Sequence, residues 1–91
     1  MAGFSRAELK AYAKAQRPDF ERVLKEIVEI PSVSVEPDRK GEVHRGAEYA
    51  VALLESYGAK AALHETKGHP IVYGRFDRGD QYPTVTVYNH L

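Results

Sequence analysis

Four histidines are the residues best suited to chemistry at neutral pH, because imidazole titrates near that range and also ligates metals. His44 falls early in a helical pattern on its polar side, His64 falls in a strand, and His69 stands in a turn beside Pro70. Solvated or structurally bonded rings account for those three. His90 differs by position. It follows Pro83-Thr84-Val85-Thr86-Val87-Tyr88-Asn89, a run without charge and with four β-branched residues. That is the pattern of a strand covered on both faces. Ligands of open α/β sheets collect just beyond the carboxyl ends of such strands. His90 is therefore the candidate for a metal or catalytic role, against the plainer reading of a histidine capping a strand end.

No second constellation accompanies it. Ser32 and Ser34 flank Val33 after a helix without the glycines of a nucleophile elbow. Glu26 and Glu29 share a helical surface but have no histidine at ligand spacing. Gly41, Gly46, Gly58, Gly68, Gly74 and Gly79 are scattered and build no phosphate-binding loop. Tyr12, Tyr49, Tyr57, Tyr73 and Tyr88 read as core or boundary residues. The absence of cysteine excludes disulfides, a thiol nucleophile and a thiolate zinc site. From spacing alone the chain carries no catalytic residue and no cofactor-binding loop.

The elements that would position His90 follow from periodicity. Ser5-Arg6-Ala7-Glu8 has capping-box spacing, with Phe4 and Leu9 placed as a hydrophobic staple. A first helix is expected over about 6–16, broken by Pro18. A second, over about 18–30, carries the stripe Phe20, Val23, Leu24, Ile27 and Val28. Pro31 ends it, and an irregular loop runs from Ser32 to Gly41. A third helix, about 42–57, turns Val43, Ala47, Ala50, Val51 and Leu54 inward, and Gly58 stands where a left-handed C′ residue is wanted. The small Gly46, Ala47 and Ala50 would let this helix lie close to a sheet. Strands are expected over about 60–66, 71–76 and 83–89, the first two as a hairpin. Helices followed by strands imply helices packed on a small sheet, incomplete with three strands when the last is apolar on both faces.

Composition narrows the classes. At 91 residues the chain is at most one domain, and such chains hide only roughly 60–65% of the surface of their unfolded form. Thirteen basic and thirteen acidic residues cancel, which argues against a nucleic-acid or anionic-membrane surface. No apolar stretch approaches the ~18 residues of a membrane span, and the start lacks the pattern of a secretory signal. The expected setting is cytoplasmic.

Four stretches in order resemble the amino-terminal part of one family. They are Ile27-Val28-Glu29-Ile30-Pro31-Ser32-Val33-Ser34, the helix through Ala47-Glu48-Tyr49 closing at Tyr57-Gly58-Ala59, His69-Pro70-Ile71-Val72-Tyr73-Gly74, and Pro83 to Leu91. Over about residues 20–91 they look like the zinc-dependent metallopeptidases related to carnosinase, glutamate carboxypeptidase, aminoacylase and succinyl-diaminopimelate desuccinylase, nearest the dipeptidase branch. The resemblance implies an α/β fold. Residues 1–91 would supply the amino-terminal helices and first three strands of a larger mixed-sheet, helix-flanked catalytic domain of phosphorylase/hydrolase-like type.

It also implies that His90 ligates one zinc of a two-zinc site. In the family an aspartate two residues beyond the histidine orients the imidazole. Leu91 stands one residue short of it, and the other ligands and the glutamate general base lie further downstream. The expectation is a piece of a longer protein, its remainder one continuous chain or a second chain starting at that aspartate. The complete enzyme would hydrolyse an amide bond of a dipeptide or small N-acyl amino acid with metal-activated water. Residues 1–91 alone would be inactive. The implied partners are the remainder of the domain, a small peptide substrate and, for the complete enzyme, a second copy; nucleic acid and membrane are not among them. The alternative is a non-catalytic, winged-helix-like module of helices and a hairpin. Its recognition helix would be the third, where Glu42, Glu48 and Glu55 against Arg45 carry the wrong sign for phosphate contacts.

Overall fold

A computed structural model describes residues 3–90. Its element order is helix α1 (Arg6–Val28), a single 3₁₀ turn (Pro37–Arg39), helix α2 (Lys40–Ser56) and strands β1 (Lys60–His64) and β2 (Ile71–Arg75). The fold is thus α/β in the coarse sense: two helices and one two-stranded antiparallel sheet.

The start of α1 follows its sequence signal, since the Ser5 hydroxyl accepts a hydrogen bond from the Glu8 amide at 3.1 Å. The expected break at Pro18 does not occur. One helix runs through the proline to Val28. Pro18 lacks the N–H that would bond the Lys14 carbonyl, but both residues are exposed, so water takes the freed acceptor. Exposed ion pairs line the helix around that gap: Arg17 Nε lies 2.7 Å from Glu21 Oε1, and Arg22 bonds both Asp19 and Glu26.

α2 starts at Lys40, two residues before the expected position, because the Pro37–Arg39 turn leads straight into it. It ends as its sequence demands. Gly58 has φ +95°, and the amides of Gly58 and Ala59 bond back to the Glu55 and Leu54 carbonyls at 3.0 and 3.1 Å. Those two bonds make a Schellman closure, which reverses the chain into β1.

The hairpin pairs Lys60 with Arg75 through to His64 with Ile71. Alternation then divides the sheet. Ala61, Leu63, Val72 and Gly74 are half-buried, while Lys60, Ala62, His64, Ile71, Tyr73 and Arg75 are exposed on the opposite face. α2 packs against both strands. The expected inward residues of α2 are all buried or half-buried, and Ala47 and Ala50 are buried outright. Gly46 serves a different contact: it faces Ile30 and Ser32 of the loop after α1, not the sheet.

Residues 83–89 form no strand. A strand covered on both faces needs neighbours on its edges and layers above and below it. Val85 and Tyr88 are 81% and 86% exposed, so the segment has neither. It instead lines one side of an open groove whose other wall is formed by α1, α2 and β2 through Ile27, Leu54 and Val72.

Two glycines meet different surroundings. A Cβ on Gly74 would stand 2.8 Å from Leu54 Cδ1, whereas one on Gly46 would stand 3.6 Å from Ser32 Cβ, an ordinary contact. Gly74→Ala should therefore displace Leu54 and destabilise the chain by about 1–3 kcal/mol. Gly46→Ala should instead stabilise it by roughly 0.5–1 kcal/mol through lower backbone entropy in the unfolded helix. Denaturant midpoints of the two variants, expected to move in opposite directions, check both.

Candidate functional site

The sole site residue assigned from sequence, His90, stands exposed two residues after Tyr88 in the segment that follows β2. Among the described residues no three histidine, cysteine, aspartate or glutamate side chains come together where an ion could be held. A zinc centre needs at least three protein ligands. The residues of this chain therefore do not fit a zinc site on their own, with His90 a single donor.

The other histidines are occupied locally. His64 lies edge-on to Tyr73 across the outer face of the hairpin, ring centroids 6.4 Å apart. His69 Nε2 bonds the Ser34 carbonyl at 2.8 Å and so ties the hairpin turn to the loop after α1. Within that turn the Thr66 hydroxyl donates to the His69 carbonyl at 2.8 Å and accepts from the Gly68 amide at 3.0 Å. His44 faces two carboxylates. Its Nδ1 lies 2.7 Å from Glu48 Oε1, one helical turn on in α2, and its Nε2 lies 3.0 Å from Glu65 Oε1, just beyond β1. Hydrogen bonding to Glu65 is the main cause that raises the His44 pKa above its ordinary 6.5; desolvation opposes it, and the Glu48 bond adds a smaller contribution in the raising direction.

One constellation was not signalled by sequence spacing. Asp19, Arg22 and Glu26 of α1 form a string of ion pairs, which two tyrosines of α2 and its end then meet. The Tyr49 hydroxyl donates to Glu26, and the Tyr57 hydroxyl donates to Asp19 Oδ2 at 3.3 Å. Glu26 and Glu29 do share a surface, as expected, but as one wall of a shallow cleft completed by Ile30, Arg45, Glu48 and Tyr49. The signal available in the sequence was i, i+3 and i, i+4 charge pairing in α1; the tyrosine partners lie 23 and 38 residues away and left none.

These contacts hold α1 against α2 electrostatically. The Tyr49 hydrogen bond is the first cause that lowers the Glu26 pKa below its ordinary 4.5, and the Arg22 bond does the same for Asp19 below 3.8. A carboxyl with a lowered folded pKa contributes stability above its unfolded pKa and loses it as pH falls through the folded one. The tie should therefore be complete above about pH 4.5 and fade below it. In Tyr49→Phe, the amide protection factors of residues 19–28 should fall at neutral pH, and their further fall on acidification should be smaller than in the wild-type chain. Unchanged protection in the variant would show that α1 is held by other contacts.

No protein-family model matches the chain, and no solved structure matches it significantly.

Proposed function

We propose that the chain is the amino-terminal segment of a cytoplasmic zinc-dependent hydrolase of the dipeptidase or carboxypeptidase type. The complete domain would be larger, mixed-sheet and helix-flanked. It would cleave the amide bond of a dipeptide or small N-acyl amino acid with metal-activated water, and this segment would contribute scaffold and one zinc ligand, His90. The support for zinc hydrolysis is the ordered resemblance over residues 20–91.

The observation that supports a segment, as opposed to a self-sufficient module, is uncovered apolar surface. The chain exposes 8233 Å², against about 5,300 Å² for a compact protein of its mass. Its radius of gyration is 16.1 Å, against about 12 Å for a compact domain of this length. Phe20, Leu24 and Val28 of α1, Ile71 and Tyr73 of the sheet, and Val85, Val87 and Tyr88 all face outward. No helix of the described residues is long and apolar enough to cross a membrane. Further polypeptide of the same domain would cover these faces and bring the remaining ligands to His90.

Metal analysis and dipeptide hydrolysis test the reading directly. Residues 1–91 alone should retain no zinc through gel filtration and hydrolyse nothing. The full-length protein should carry zinc, and His90→Ala should lower its hydrolysis at least ~100-fold, because a ligand matters no less than the groups that orient it. In residues 1–91 alone His90 is exposed, so there His90→Ala should leave the melting temperature unchanged. Full-length protein without zinc, or with hydrolysis indifferent to His90→Ala, overturns the proposal.

A further inference from the structure

His44 binds two carboxylates from two different elements, and the chemistry of its ring makes that arrangement depend on a proton. A carboxylate only accepts hydrogen bonds, and a neutral imidazole has a single N–H to donate. With Nδ1 at 2.7 Å from Glu48 and Nε2 at 3.0 Å from Glu65, both contacts are satisfied together only when both ring nitrogens carry hydrogen. The geometry therefore favours the imidazolium form. Loss of its proton leaves one ring lone pair facing a carboxylate oxygen, which repels. The His44 side chain is 43% exposed, so the proton exchanges directly with solvent.

The two partners are not equivalent. Glu48 belongs to α2 itself and would stay one helical turn away whatever the charge on the ring. Glu65 lies beyond β1, at the first residue of the hairpin turn, and meets His44 across 21 residues of sequence. These two glutamates are the charged groups that act on the ring, one from each element. The opposite side of the turn is held by His69, whose acceptor is the Ser34 carbonyl. A neutral ring can donate to a carbonyl from one nitrogen, so that tie survives deprotonation and the His44 tie does not.

We propose that His44 is a proton-dependent latch that clamps the β1–β2 turn at Glu65 to helix α2, closed when the ring is charged and released when it is neutral. Release would free the Glu65 side of the turn while His69 keeps the other side anchored, so the turn would swing and not unfold. The sign is that of a group with a raised folded pKa: the clamp's stabilisation is fully present below about pH 6.5 and is lost as pH rises through the higher folded value. This latch stands whether or not the chain is part of a zinc hydrolase, because it uses none of the residues assigned to that role.

An NMR titration of the 91-residue chain reads it. The His44 ring should titrate with a midpoint above 6.5, with both nitrogens protonated at the acid end. The amide shifts of residues 65–68 should follow that same midpoint. In Glu65→Gln the His44 midpoint should fall, and the turn amides should cease to follow it; in Glu48→Gln the midpoint should fall while the turn amides still track the ring. A His44 midpoint that Glu65→Gln leaves unmoved overturns the latch, as do wild-type turn amides that ignore the titration. His44→Gln, which cannot titrate, is the control: its turn amides should lose the transition at the wild-type His44 midpoint, and one that persists at that midpoint would assign the effect to another group and overturn the latch.

Discussion

The packed core of this chain depends on how closely α2 approaches the hairpin. The approach is set by absence of side chain: Ala47 and Ala50 on the helix, Ala59 at its exit and Gly74 on β2 let Leu54 reach the sheet backbone. The Schellman closure at Gly58 fixes where β1 begins relative to that contact. Because β1 and β2 are paired in one register, placing β1 places β2, and Gly74 arrives opposite Ala61 under Leu54. Slippage by one residue would put Tyr73 where Gly74 stands and turn the half-buried face outward. A packing this close tolerates little volume change, and it is the part of the molecule with a defined core.

Outside that unit the forces change character. α1 is joined to α2 by hydroxyl–carboxylate hydrogen bonds and, just beyond its end, by Ile30, the one large apolar residue that is buried among the described residues. Polar ties of this kind orient a helix but remove little apolar surface from water, and exposed ion pairs such as Arg17–Glu21 contribute little individually. The apolar stripe of α1 is accordingly only half used. Val23 and Ile27 are half-buried, while Phe20, Leu24 and Val28 stay in solvent. The same division splits the hairpin, one face on α2 and the other uncovered. These are the surfaces that the larger domain proposed above would cover.

That division also explains what could be read from sequence. Local rules worked where the structure is local: the Ser5 cap, the Gly58 closure, the inward face of α2 and the hairpin between His64 and Ile71 all follow from neighbours within a few residues. The proline rule misjudged Pro18 because its cost depends on whether the freed carbonyl is buried, and at Lys14 it is not. The strand expected at 83–89 has the composition of a core strand without a core around it. Strand preference is largely a preference for fitting a pleated, covered surface, so composition alone does not order the segment. The tyrosine ties and the His44–Glu65 pair span 21 to 38 residues and have no periodic signature.

The histidines show why position in a pattern is a poorer guide to chemistry than the company a ring keeps. His90 was singled out by its place after an apolar run, yet among the described residues it belongs to no group of three or more potential metal ligands. On the proposed reading, a metal site of three or four ligands would be a property of the larger domain and not of this chain alone. His44 was set aside as one ring on the polar side of a helix. It carries the more definite chemistry in the chain as it stands, because Glu48 is supplied by helical periodicity and Glu65 by the Schellman turn that returns the chain alongside α2. The same close α2–hairpin packing that forms the core thus also builds the one histidine environment whose geometry requires a defined charge.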